Sequence, residues 1–311
     1  MTDMSPFRRE LILEAADRIA PFVVRTPVVA LRGSVNCELK LEFLQATGSF
    51  KARGAFNTLL SVDVPPAGVA AASGGNHGAA VAYAAQRLGH KAAIFVPEIA
   101  SPAKLAIIEA AGADVTIGGA RYADALAACE DYQRRSGAIS IHAYDAPLTV
   151  AGQGTIGAEW EAQTAGLDTV LVAAGGAGLI TGIAAWFKGR VKVVGVEPEG
   201  ARCLHAALEA GAPVNVEIDS IAADSLGAQR TGDLNFPIAK EHVAEVVLVS
   251  DAEILAACGV LWKEARLVTE PGGAAAFAAL LSGAYKPAPD ERVGVLLCGA
   301  NVDPAKFAAI L

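Results

Sequence analysis

The residue best suited to covalent chemistry is a lysine among apolar neighbours. Lys51 stands in TGSFKARGAFN, residues 47–57, between Phe50 and Ala52, with Phe56 further on. A lysine drawn into a desolvated pocket loses its proton more readily, and its neutral amine can form a Schiff base with a carbonyl. The segment reads as the start of a helix running through Phe56 and Leu60, with Ser49 as its cap and Lys51 and Arg53 in its first turn. Cations there oppose the helix dipole, so the plain alternative is two solvated charges. Cys298 lies in LLCGANVD, residues 296–303, and taken alone it reads as a buried apolar filler.

Two glycine-rich turns could hold anions. ASGGNHG, residues 72–78, falls between an apolar run and an alanine-rich helix. Its glycines permit close backbone approach, and amides at a helix N-terminus suit a carboxylate or phosphate. No Lys-Ser/Thr follows the last glycine, so it is not a Walker A loop. A tight turn without a ligand is the alternative, with His77 as a structural histidine. AGGAGLITG, residues 174–182, follows VLVA and offers a second set of amides. Here a dinucleotide reading competes: Gly176, Gly178 and Gly182 form GxGxxxG, and Glu197 follows about twenty residues on, where a ribose-binding acid would stand. The third glycine comes one residue late for that motif.

The elements around these turns alternate. Residues 8–19 have helical spacing, with Leu11, Ile12, Ala15 and Ile19 on one face. KAAIFVP and ADVTIG read as buried strands joined by a helix over SPAKLAIIEAAG; VKVVGVEP, AEVVLV and VGVLLCG read as later strands. Strands alternating with helices imply an α/β architecture with parallel sheets, and residues 69–147 carry enough elements for a nested smaller domain. The chain has 311 residues, enough for one large domain or two smaller ones. Its net charge of −8 argues against nucleic acid or an anionic membrane surface as a partner, though not against a small anion held by local amides. Five cysteines (Cys37, Cys129, Cys203, Cys258 and Cys298) without CxxC spacing suggest neither a disulfide framework nor a zinc site. The N-terminus lacks the apolar core of a signal peptide, and no apolar run approaches the ~18 residues of a membrane span. A cytoplasmic protein is expected.

Together these segments resemble the pyridoxal-phosphate (PLP) enzymes of fold type II, specifically the serine/threonine dehydratase and serine racemase family. GSFKARGAFN is similar to the family's Schiff-base segment, SGGNHG to its substrate and cofactor loop, and GGAGL to its phosphate loop; HAYDAPLTVAGQGT, residues 142–155, resembles a further stretch and ADSLGAQRTGDLNFP, residues 223–237, a looser one. The resemblance implies a tryptophan synthase β-like fold of two three-layer α/β/α domains with largely parallel sheets. Residues 1–68 and 148–311 would form the large PLP-binding domain and 69–147 the small one. It implies that Lys51 carries the cofactor, that Phe50 and Glu270 adjoin it, and that Asn76 bonds the ring hydroxyl. The amides of Gly175, Gly176, Ala177, Gly178 and Leu179 would hold the phosphate, and Cys298 would face the pyridine nitrogen. Ser73, Gly74, Gly75, Asn76 and His77 would grip the substrate carboxylate.

The implied reaction converts a small hydroxy-amino acid, such as L-threonine or L-serine, to a 2-oxo acid and ammonia in a homodimer. Serine racemase and hydroxyaspartate dehydratase are the same-fold alternatives, and a nicotinamide oxidoreductase is a distant one. Gly74 favours elimination, because racemases of this family place a serine hydroxyl there as the proton donor of the second face. Ala177 interrupts the usual glycine run of the phosphate loop, with its methyl expected to point away from the phosphate. Glu197 and Ala201 match a cation site found in some members, but Cys203 stands at its acidic position; hard cations want oxygen, which leaves a monovalent ion on Glu197 and carbonyls as the alternative to a divalent one. The chain stops soon after Cys298, so the regulatory domain of some biosynthetic threonine dehydratases is not expected.

Overall fold

The computed structural model describes residues 8–98, 100 and 102–311; the reading of residues 1–7 and of Ser101 lies outside them. In chain order the first half forms helix α1 (Arg9–Ile19), strands β1 (Val28–Arg32) and β2 (Asn36–Lys40), helix α2 (Lys51–Leu59), strand β3 (Val69–Ala72) and helix α3 (Asn76–Leu88). Strand β4 (Ala92–Val96), helix α4 (Pro102–Ala110), strand β5 (Asp114–Ile117), helix α5 (Tyr122–Ser136) and strand β6 (Ile139–Ser140) follow. The second half begins with helix α6 (Pro147–Gln163), strand β7 (Thr169–Ala173), helix α7 (Gly178–Phe187), strand β8 (Lys192–Pro198) and helix α8 (Cys203–Ala210). It ends with helices α9 (Ala223–Leu226) and α10 (Asn235–His242), strand β9 (Glu245–Val249), helices α11 (Asp251–Ala265) and α12 (Pro271–Ser282), strand β10 (Val293–Leu296) and helix α13 (Pro304–Ala308).

These elements build two sheets. The smaller has the order β5-β4-β3-β6 and is parallel throughout. The larger has the order β1-β2-β10-β7-β8-β9, and only its β1–β2 pair is antiparallel. Strands β4, β7 and β10 are buried along their whole length. Helices covering both faces of a parallel sheet require this, which is why these strands read as unbroken apolar runs. β5 departs from the expectation of a buried strand: it is the edge of its sheet, and Asp114, Thr116 and Ile117 are exposed. A short apolar run does not tell an edge from a centre.

Ile12, Ala15 and Ile19 of α1 are buried as their spacing predicts, and Leu11 is half-buried. Helix α2 starts differently from expectation. Its cap is Phe50, and Ser49 is extended (φ −159°) and bridges Gly299 instead of capping. The Phe50 amide donates to the Cys298 carbonyl at 3.1 Å, so the helix is anchored to the chain just beyond β10. α2 packs against α3 on one side and α6 on the other. Ala52, Phe56 and Leu59 of α2, with Ile19, join the apolar cluster of the smaller sheet. Lys51 therefore starts a helix wedged between the two sheet systems, and the turns after β3, β7 and β10 open where parallel α/β sheets bind ligands, beyond the carboxyl ends of their strands.

Candidate active site

Lys51 is the first residue of α2, half-buried, and its ammonium donates to the Ala143 carbonyl at 2.7 Å and lies 5.0 Å from the Phe50 ring centre. Burial pulls its pKa down to about 8, with the nearby Cys298 thiol opposing slightly. Two residues on, Arg53 is not the solvated charge of the plain reading. It is 2% exposed and donates to Glu42 Oε1 at 2.5 Å, to Glu159 Oε2 at 3.0 Å and to Thr155 Oγ1 at 3.2 Å. Lys40, fully buried, pairs with the same Glu159. Burial favours the neutral form of Arg53, but Glu42 and Glu159 outweigh it and hold the guanidinium charged.

Cys298 follows β10, buried, with its thiol donating to the Gly272 carbonyl at 3.6 Å. Burial, with Glu270 nearby, pushes its pKa up to about 12, so the side chain is a neutral thiol. Glu270 caps α12 and accepts from Asn76 Nδ2 at 2.5 Å. Gly299 lies between them: a Cβ there would stand 2.2 Å from Glu270 Oε1 and 3.3 Å from Asn76 Nδ2. Asn301, from the motif around Cys298 but not singled out by sequence, donates to Asn76 Oδ1 at 2.8 Å and to the Thr47 carbonyl at 2.7 Å. Phe50, Lys51, Asn76, Glu270 and Cys298 are thus brought together from four separate stretches of chain.

The turn after β3 holds Ser73, Gly74 and Gly75, half-buried, ahead of the first helical residue Asn76. Ser73 Oγ accepts from the Gly75 amide at 3.3 Å, so this hydroxyl already shapes the turn. His77 does not turn its ring to a carboxylate. Its Nε2 lies 2.8 Å from the Ile141 carbonyl, and burial, with Lys51 nearby, drives its pKa down to about 3. It is a neutral N–H donor to that carbonyl, and any grip on a substrate from this residue comes through backbone. A Cβ on Gly74 would stand 2.8 Å from Ala100 Cβ and 3.5 Å from Val96 Cγ1, so a serine there could not enter without a shift of the Ala100 segment.

The turn after β7 carries Gly175, Gly176 and Ala177 into α7, whose first-turn amides of Gly178 and Leu179 have no partner within the helix. Its glycines answer mainly to packing from outside. A Cβ on Gly176 would stand 2.4 Å from the Tyr144 ring, and one on Gly178 would stand 2.5 Å from the Tyr144 carbonyl. Ala177 is left-handed (φ 71°), a cost of roughly 1–2 kcal/mol for a residue with a Cβ. Its methyl belongs to the main apolar cluster, the direction expected of it. Tyr144 was missed by sequence, although its stretch was noted. It follows Ala143, the partner of Lys51, in a turn where His142 Nδ1 accepts from the amides of Tyr144 and Asp145 at 3.3 and 2.8 Å.

Glu197 is fully buried, and its two oxygens accept from the Leu204 and His205 amides at 2.9 and 2.8 Å. Burial raises its pKa to about 8 despite those bonds. Glu197 therefore closes the start of α8. Ala201 is buried beside that helix, and among the described residues no three His, Cys, Asp or Glu side chains stand together as a metal site. The cation reading of Glu197 and Ala201 gains nothing from this geometry.

The remaining features fit a phosphorylated aldehyde cofactor. They are a lysine of lowered pKa, a neutral thiol, a helix start whose first residues carry no side-chain cap, and two buried hydroxyls just ahead of Lys51 (Thr47 and Ser49) without partners among the described residues. Residues 19–299 match the family model described as pyridoxal-phosphate dependent enzyme. The chain is 40% identical over 296 residues to a phenylserine dehydratase of Ralstonia pickettii, covering 94% of this chain and 90% of that protein. It is 36% identical to an L-threonine ammonia-lyase of Geobacter sulfurreducens, with 97% and 77% covered. Among solved structures, maize serine racemase superposes with a TM-score of 0.92 at 31% identity, covering 97% and 96% of the two chains. The match excludes the dinucleotide reading of GxGxxxG. The chain belongs to the pyridoxal-phosphate dependent enzymes, in the fold type II group of serine/threonine dehydratases and serine racemases.

Proposed function

We propose that this PLP-dependent ammonia-lyase removes water and ammonia from a β-hydroxy-α-amino acid, with Lys51 holding the cofactor and then serving as the base at Cα. The observation that carries the reading is Lys51 itself: an amine with a pKa of about 8 at the start of α2, held by the Ala143 carbonyl and with the neutral Cys298 thiol nearby. A base works best when its pKa lies near the working pH. When bound, PLP supplies the electron sink that makes the Cα proton acidic and lets the β-hydroxyl leave. Phe50, Asn76, Glu270 and Cys298 would line the ring, and the amides of Gly175 to Leu179 would hold the phosphate. A thiol that keeps its proton cannot stabilise a protonated pyridine nitrogen as a carboxylate would, which disfavours transamination. The amides of Ser73 to His77 would take the substrate carboxylate. Residues 69–147 would be the smaller domain and the rest the larger.

Relatives named phenylserine dehydratase and L-threonine ammonia-lyase support L-threonine or a β-aryl analogue such as phenylserine as substrate, with L-serine and hydroxyaspartate as further candidates. Racemisation is the second reading, favoured by the likeness to maize serine racemase. Gly74 argues against it, because no side chain there can return a proton to the second face, and the Gly74→Ser change meets Ala100. A cytoplasmic homodimer is in keeping with five free cysteines and the family resemblance. No helix among the described residues is long and apolar enough to cross a membrane. The test is a panel of L-serine, L-threonine, phenylserine and hydroxyaspartate, assayed for 2-oxo acid and, by chiral chromatography, for D-amino acid. Release of 2-oxo acid well ahead of any D-isomer is expected; D-serine formed as fast as pyruvate would replace the lyase reading with the racemase one.

A further inference from the structure

A loop that presents its amides to an anion must turn its carbonyls the other way, and those carbonyls need donors if they are buried. In the turn after β7 the donors come from residues that the proposed chemistry does not use. The Cys203 thiol, fully buried, donates to the Gly175 carbonyl at 3.1 Å. The Asn235 side chain, also fully buried, donates through Nδ2 to the Gly176 carbonyl and to the Tyr144 carbonyl, each at 3.0 Å. The Gly232 amide adds a bond to the Gly176 carbonyl at 3.3 Å. Two carbonyls facing one Asn235 nitrogen settle the orientation of that amide, since its oxygen in the same place would be repelled by both.

Each donor is itself held. The Thr231 hydroxyl donates to Cys203 Sγ at 3.6 Å. Cys203 begins α8, the helix whose start Glu197 closes, so the thiol is fixed from two sides. Burial, with Glu197 nearby, pushes the Cys203 pKa up to about 12, and the thiol keeps the proton it donates. Asp145 accepts from the Asp233 and Leu234 amides, both at 3.1 Å, and so fastens the chain ahead of Asn235 to the turn that carries Tyr144. Tyr144 packs under Gly176, and its neighbour Ala143 accepts from Lys51. Asn235 therefore couples the glycine turn to the turn that meets Lys51.

We infer that Cys203 and Asn235 are positioning residues that hold the carbonyls of Gly175 and Gly176 outward, so that the amides of this turn converge on the phosphate of the cofactor. The inference rests on the phosphate reading of the turn, and the two can fail separately. The test compares PLP with pyridoxal, which has the same ring and aldehyde but no phosphate. Binding of each to the full chain stripped of cofactor is followed by the absorbance of the Lys51 adduct, and thermal unfolding of the stripped chain is recorded alongside.

The parent chain should bind PLP far more tightly than pyridoxal. Cys203→Ala and Asn235→Asp each remove a donor, and each should weaken PLP binding about ten-fold or more, the equivalent of about 1.4 kcal/mol. Pyridoxal binding should stay within about two-fold of the parent, because a loss confined to the phosphate leaves the ring contacts intact. Cys203→Ser restores a donor and should recover most of the PLP affinity. A parent chain that does not discriminate between the two compounds would overturn the phosphate reading and the clamp with it. A discriminating parent whose Cys203→Ala variant binds PLP as tightly as before, or loses PLP and pyridoxal alike, would overturn the clamp alone. The Cys203 pair decides the matter even if Asn235→Asp does not fold.

Discussion

The two faces of helix α2 treat buried charge in opposite ways. Behind the helix, Arg53, Lys40 and Glu42 are buried and Glu159 is half-buried, and each lies within salt-bridge distance of a side chain of opposite charge. Ahead of it, Lys51, His77 and Cys298 make no salt bridge among the described residues, and burial drives each toward its neutral form: Lys51 down to about 8, His77 down to about 3 and Cys298 up to about 12. Lys51 and Arg53 are two residues apart on one helix. An ion taken out of water is tolerated when it is paired, and otherwise it sheds its charge. The rear network fixes the helix, and the front leaves an amine ready to react.

Single substitutions at these two positions should separate the roles. Lys51→Ala should reduce turnover by at least about 10²–10⁴-fold and abolish the yellow chromophore, while thermal unfolding stays near that of the parent chain. Arg53→Ala should do the reverse at the level of the fold. It strands Glu42 and Glu159 beside a single remaining cation, and removing one partner from a buried ion pair costs about 3–5 kcal/mol. Urea titration of both variants measures this, and an Arg53→Ala chain as stable as the parent would break the contrast. A smaller effect is expected at Cys298. Cys298→Ser keeps a neutral group and should lose less than about ten-fold in turnover, whereas Cys298→Asp brings a carboxyl group next to the site and should impair elimination more. Equal rates for the two variants would show that the neutrality of this position does not matter.

The smallest effect expected is one of pH. Lys51 has its pKa lowered from 10.5 to about 8, so its neutral fraction rises as the pH rises through about 8. Chromophore formation on adding PLP to stripped protein should therefore quicken over that range. An ordinary lysine would show the same rise only near 10.5, and that result would remove Lys51 from the front-face account.

Much of this contrast could be read in the sequence, but unevenly. The strand–turn–helix order and the segments around Lys51, Asn76, Gly175 and Cys298 were readable because each is a continuous stretch whose residue types announce a turn or a helix start. What was not readable depends on partners remote in the chain. Arg53 looked solvated because Glu159 lies on α6, far along the sequence. Asn235, Tyr144 and Asn301 matter through bonds to carbonyls and amides of other turns, and such bonds leave no local pattern. Ser49 was misread as a cap because its bridge to Gly299 takes the backbone into an extended form before α2 begins. His77 was read with the turn after β3, but it lies in the first turn of α3, and the Ile141 carbonyl that claims its ring belongs to a turn beyond β6.

The central claim is that Lys51, and not another of the lysines, carries the cofactor. The direct measurement is borohydride reduction of the yellow protein, followed by proteolysis and mass spectrometry of the peptides. The account predicts a single phosphopyridoxyl adduct, located on Lys51 and absent from the Lys51→Ala chain. An adduct on a different lysine, or a chain that binds PLP without any reducible link, would contradict it.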